Sequence, residues 1–200
     1  MALYRRLLLA ATVLAFGVIS LGAYVRLSDA GLGCPDWPGC YGHWLGVPDQ
    51  AHELSAASQA YPERPVETAK AWKEMVHRYF AGTLGLLILG IFLYAWRAES
   101  RSARSPTLAT LLLGIVALQA ALGMWTVTLL LKPLIVTLHL LGGMTTLALL
   151  LTLLLSEARP AFPQVSGEWL RPLAALALLL VICQIALGGW VSSNYAALAC

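Results

Sequence analysis

Five long runs of this sequence contain no formal charge. Leu7–Val25, Tyr79–Trp96, Thr107–Leu131, Pro133–Leu155 and Pro172–Val191 extend for 19, 18, 25, 23 and 20 residues. About 20 apolar residues at the helical rise cross a hydrocarbon layer. A surface helix of a soluble domain would break such runs with charge on its wet face. Within lipid the backbone must satisfy its own hydrogen bonds, and these runs are too long for barrel strands. The expected class is therefore an all-α integral membrane protein with five spans. Only 12% of the residues are charged, about half the share usual in a soluble domain. The first run follows Arg5 and Arg6, as a signal peptide would. Its apolar core exceeds the ~7–15 residues of that class and no clear small-residue cleavage site follows, so a retained span is expected.

Basic residues set the expected orientation. Arg5, Arg6, Arg97, Arg101, Arg104, Arg159 and Arg171 fall on one side. Arg26, Arg64, Lys70, Lys73 and Lys132 fall on the other, outnumbered by acids. This predicts a cytoplasmic N-terminus and an extracytoplasmic loop over 26–73. The net charge of +3 then reads as a topology signal. No basic patch interleaved with aromatics points to nucleic acid. Pro65 predicts a helix start that runs through "VETAKAWKEMVHR" into span 2. Lys132-Pro133 alone joins spans 3 and 4, which predicts a tight antiparallel hairpin.

The chain also repeats itself. Ile19–Cys34 aligns without gaps on Ile185–Cys200, with seven of sixteen residues identical, ending on a shared Cys. "QAALGMW" (119–125) is a weaker echo of "QIALGGW" (184–190). The expected organisation is a four-helix transmembrane bundle over 1–158. A linker and a fifth span over 159–200 would begin a second, repeated bundle that stops short.

Cys34 and Cys40 flank "PDWPG", whose prolines and glycine favour a tight turn. A disulfide there would contribute only roughly 2 kcal/mol by chain entropy. A local brace, a redox couple and a metal site with His43 all remain open for the pair. Cys183 reads as a packed thiol in mid-span, and Cys200 as the counterpart of Cys34. His77 and His139 fall near the same ends of two parallel spans. Ionisable groups at membrane depth are costly and usually functional. Two imidazoles at one depth suit the axial positions of a heme iron, with Gly82, Gly85, Gly142 and Gly143 giving room. Each could instead bond a neighbouring helix. Glu74, three residues before His77, would either cap the helix end beside Lys70 and Lys73 or act as a proton acceptor at the bound group. Arg26, Lys73 and Arg78 are candidate partners for heme propionates. Gln119 reads as a helix–helix hydrogen bond. His43 and His52 read as solvated loop residues.

"GAYVRLSDAGLGCPDWPGCYG", "EMVHRYFAG" and "LKPLIVTLHLLGG" together closely resemble heme A synthase, a family that supports cytochrome oxidase assembly in bacteria and mitochondria. The resemblance runs from about Gly22 to Cys200. It implies eight transmembrane helices in two pseudo-symmetric bundles, and oxidation of the C8 methyl of heme O to a formyl through successive hydroxylations. Heme O would be the substrate in the first bundle, and heme b the cofactor in the second. It implies that His77 and His139 ligate iron, that Glu74 acts at the reacting methyl, and that Cys34 and Cys40 are the outer-loop pair. It places the protein in the bacterial inner membrane. Its partners would be the lipid bilayer, heme O synthase and oxidase assembly proteins, with self-association left open. Three further spans would be expected after Cys200, so the chain reads as the substrate-heme half. Two other readings stand beside this one: a cytochrome b-type electron carrier, and an assembly factor that docks through its disulfide loop.

Overall fold

The computed structural model describes residues 2–97, 105–158 and 167–196. Six helices follow in order: α1 (Ala2–Leu27), α2 (Ala51–Ala60), α3 (Thr68–Ala95), α4 (Pro106–Thr128), α5 (Pro133–Ala158) and α6 (Leu170–Ser193). All but α2 are long and apolar enough to cross a membrane. The protein is thus all-helical and multi-pass among the described residues. Arg101, Arg104, Arg159 and Cys200, which carry part of the orientation and repeat arguments, lie outside them.

Local chemistry sets the helix ends. Pro106 sits in the first turn of α4, where its missing N–H costs nothing, and Ser105 Oγ accepts from the Leu108 N–H at 3.4 Å. The α4–α5 turn places Leu130 and Leu131 at positive φ. That conformation disfavours branched side chains. It is offset by the Leu131 N–H reaching Thr126 O at 2.8 Å, and by Leu131 packing on Gly31. Hydroxyls in the spans bond their own helix. Thr12, Thr83, Thr145, Thr146 and Thr152 each donate to the carbonyl four residues back. No hydroxyl among these needs a partner in lipid.

α1 packs on α3 and α5, and α4 packs on the same two helices, closing a ring of four; α6 lies against α5. Two separate apolar clusters fill the molecule. One lies between the four helices at the end carrying the N-terminus: Tyr4, Leu8, Ile88, Ile91, Leu112 and Leu150 are buried there with several alanines. No α6 residue belongs to it. The other lies in the α1–α3 connection: Cys34, Cys40, Tyr41, Val47, Ala57, Ala71 and Met75. The end carrying that connection is called the loop end below.

The connection differs from its expected form. It spans 28–67, because α1 continues to Leu27 and α3 begins at Thr68. It also contains α2, whose start is closed by Glu53 Oε2 accepting the Asp49 and Gln50 N–H groups at 3.1 and 3.2 Å. Those bonds hold the Glu53 carboxyl below its ordinary range. Cys183 is a correction. It is exposed on α6, not packed, because most of that helix faces away from the ring.

Candidate functional site

One turn of α3 fastens the loop to the bundle. Glu74 is 5% exposed. Its Oε2 accepts the Cys34 N–H at 2.9 Å and its Oε1 accepts Arg78 Nη2 at 2.6 Å. Arg78 Nη1 donates to the carbonyls of Asp36, at 3.0 Å, and Pro38, at 3.2 Å, and also to that of Gly39. A single buried ion pair thus holds four backbone groups of the segment 34–39. A Cys34–Cys40 disulfide closes that segment. Asp36 completes it from within, accepting the Tyr41 N–H at 2.6 Å and the Gly42 N–H at 2.8 Å. Gly33 is required where the chain meets α3, since a Cβ there would lie 2.6 Å from the Lys70 carbonyl carbon. Beyond the disulfide, the Gly46 N–H donates to Tyr79 Oη at 2.7 Å, and Trp44 and Leu45 stand out at 77% and 80% exposure. Alkylation of the unreduced protein should therefore modify neither Cys34 nor Cys40, and reduction should expose both. Peptide mass spectrometry reads this directly, and alkylation without reductant would refute the bridge.

Below the clamp the interior changes character. His77, three residues on from Glu74, reaches the backbone of Val18 on α1 and packs over Gly22. A Cβ at Gly22 would lie 3.0 Å from its Cε1. His139 packs in the same way over Gly123 of α4, with the corresponding separation 3.4 Å. The two imidazoles are near enough to interact electrostatically. Nδ1 of each is buried without a hydrogen-bond partner. These side chains lie between the two apolar clusters, in a band of the ring lined by histidine and glycine. Orphaned imidazole nitrogens, glycine neighbours and an apolar surround fit a flat apolar metal complex held through imidazole. No group of three or more His, Cys, Asp or Glu side chains suited to a bare metal ion occurs among the described residues.

The remaining candidates are placed as follows. Arg26 is engaged elsewhere: its Nη2 donates to Ser192 O at 2.5 Å and its guanidinium lies 4.2 Å from the Tyr195 ring centre. Lys73 Nζ lies 5.1 Å from the Tyr24 ring centre, on the loop side of the histidines. His43 pairs its backbone with Cys40, and His52 is exposed on α2. Gly82 has open space beside it, and Gly85 meets only Val116. Gln119 makes no helix–helix bond through Nε2, which is buried and unpartnered. Gly22 and Gly123, not singled out in the sequence, are the glycines that meet the histidines. Their signals were the Gly22–Gly188 match of the repeat and the "LGMW" echo. A cleft of about 180 Å³ at the loop end, lined by Asp29, Lys70, Leu131 and Tyr195 among others, includes neither histidine.

A multi-pass helical protein with paired interior histidines under a disulfide-closed loop is the class defined by this fold and site. Residues 5–200 match the COX15-CtaA family, described as cytochrome oxidase assembly protein, and the chain belongs to that family. It is 53% identical over 186 residues to the heme A synthase of Shewanella oneidensis, covering 92% of this chain and 55% of that protein. It is 29% identical to the heme A synthase of Bacillus licheniformis, over 74% of this chain and 43% of the relative. A protoheme IX farnesyltransferase of Halobacterium salinarum is 28% identical over 60% of this chain and 22% of its own length. The chain thus spans about half the length of the heme A synthases it matches. No solved structure matches it significantly.

Proposed function

We propose that this chain carries the substrate-heme half of a heme A synthase, with His77 and His139 holding heme O. One observation carries the reading: two buried imidazoles with unpartnered Nδ1 atoms share one band of a lipid-spanning ring. Similarity to a named heme A synthase over 92% of the chain supports it. Heme O, when bound, would supply the iron for the imidazoles and the methyl group on which the oxidation acts. The chain's own residues bind and orient that substrate. Gly22 and Gly123 leave room for the two rings against neighbouring helices. Glu74 is the acidic group one turn from His77, and we assign it to the reacting methyl. Arg78 and the Cys34 N–H hold its two oxygens, so its position is fixed before substrate arrives. The disulfide segment covers this end of the ring and keeps water from it. Lys73 remains a candidate propionate partner, whereas Arg78 would have to give up its loop carbonyls and Glu74 to serve. Arg26 would have to leave Ser192 to serve.

Heme b belongs, in this reading, to the part of the longer relatives that the chain does not align with. Arg5, Arg6, Arg97 and Arg171 at the end opposite the loop support a cytoplasmic N-terminus in a bacterial inner membrane. Heme O synthase and oxidase assembly proteins are the proposed partners. A cytochrome b-type carrier would hold hemes at both ends of its spans, whereas His77 and His139 fall in one band. The test is pigment extraction from a strain whose sole heme A synthase is the protein containing this chain. Formyl-bearing heme is expected. Heme O alone, with the protein present in the membrane, would overturn the proposal.

A further inference from the structure

One polar side chain in the histidine band has no part in the site as described. Gln119 stands on α4 four residues from Gly123, one turn further from the loop end than the glycine beneath His139. Its amide presses on α5. A Cβ at Gly142 would lie 1.8 Å from Gln119 Nε2 and 2.8 Å from Cδ, so the amide occupies the space that a side chain at Gly142 would take. On the far side, a Cβ at Gly143 would meet Ile19 of α1 at 3.7 Å. Nε2 is nevertheless buried with no acceptor. A free amide donor inside a lipid-spanning bundle is costly, and a leucine of similar size would avoid that cost. The donor therefore marks where an acceptor arrives with a ligand.

We propose that Gln119 Nε2 donates a hydrogen bond to the hydroxyl on the isoprenoid-bearing side chain of heme O, and thereby selects heme O over heme B. This rests on the heme reading above and goes beyond it to the specificity of the site. Heme O differs from heme B at one ring position, where a hydroxyl-bearing farnesyl chain replaces a vinyl group. That position lies across the porphyrin from the anionic propionates. The propionates belong at the polar loop end, near Lys73, so the hydroxyl edge falls on the deeper side. Gln119 is on that side of His139 by one turn, about 5.4 Å of helix. A site built around a substrate hydroxyl rejects an analogue lacking it, because its own donor is then left unpaired.

The test is a visible-absorption titration of the purified chain with heme O and with heme B, repeated for Gln119→Leu. The substitution should weaken heme O binding about tenfold and leave heme B binding unchanged or tighter. Equal losses for both hemes would show that Gln119 only spaces α4 from α5, and would overturn the proposal. So would unchanged binding of both. His139→Ala separates the two levels of argument. If it abolishes binding of both hemes while Gln119→Leu changes neither, the heme reading stands and the selectivity proposal falls. If the unsubstituted chain binds neither heme, both fall.

Discussion

His139→Ala should weaken heme O binding more than about 100-fold while the helical fold survives. Loss of groups that merely orient a metal ligand already costs up to about 100-fold, and here the ligand itself is removed. The fold survives because the ring carries an unpartnered buried nitrogen. Deleting a buried unpaired polar group recovers part of what its cavity costs. The cavity would open beside Gly123, a place where free imidazole fits. Added imidazole should restore part of the heme absorption, which generic unfolding would not allow. His77→Ala should behave alike on the other side, opening space beside Gly22. If both variants keep the heme affinity and spectrum of the unsubstituted protein, the ligand assignment is wrong.

Arg78→Ala should be the most destabilising single change in the loop. It breaks the pair with Glu74 and leaves a buried carboxylate held only by backbone N–H groups of the loop. Removing one partner of a buried pair costs about 3–5 kcal/mol. It also frees the carbonyls of Asp36, Pro38 and Gly39 together. The visible result is a lower thermal midpoint and faster reduction of the Cys34–Cys40 bond by a mild reductant. Arg78→Lys should recover the charge and little of the loop order, because one ammonium cannot reproduce a planar fork. An unchanged midpoint and reduction rate in Arg78→Ala would show that the clamp is decorative.

The spans were legible because lipid imposes a length and a lack of charge that sequence displays directly. α2 was not, since a ten-residue helix leaves no comparable run and forms by packing Ala57 into the loop cluster. The partner of Glu74 was within reach. "EMVHR" sets Glu74 and Arg78 at i and i+4, the spacing of a helical ion pair, but the histidine between them drew the reading elsewhere. The burial of Cys183 was misjudged because hydropathy cannot tell a helix facing protein from one facing lipid. The glycines beneath the histidines were obscured by their number. Of 17 in the chain, only contact with another helix distinguishes Gly22 and Gly123.

The bond from Arg26 to Ser192 joins two positions that the internal repeat aligns with each other. Were the two segments related by a local two-fold axis, such residues would meet on it, each position facing its own counterpart. Such a place cannot hold the same charged residue twice, since two guanidiniums would confront each other across the axis. One segment carries the cation, and the other a small residue whose carbonyl receives it. Arg26 and Ser192 form such an unequal pair. The difference between these aligned residues is what lets Arg26 at the end of α1 bond the last turn of α6.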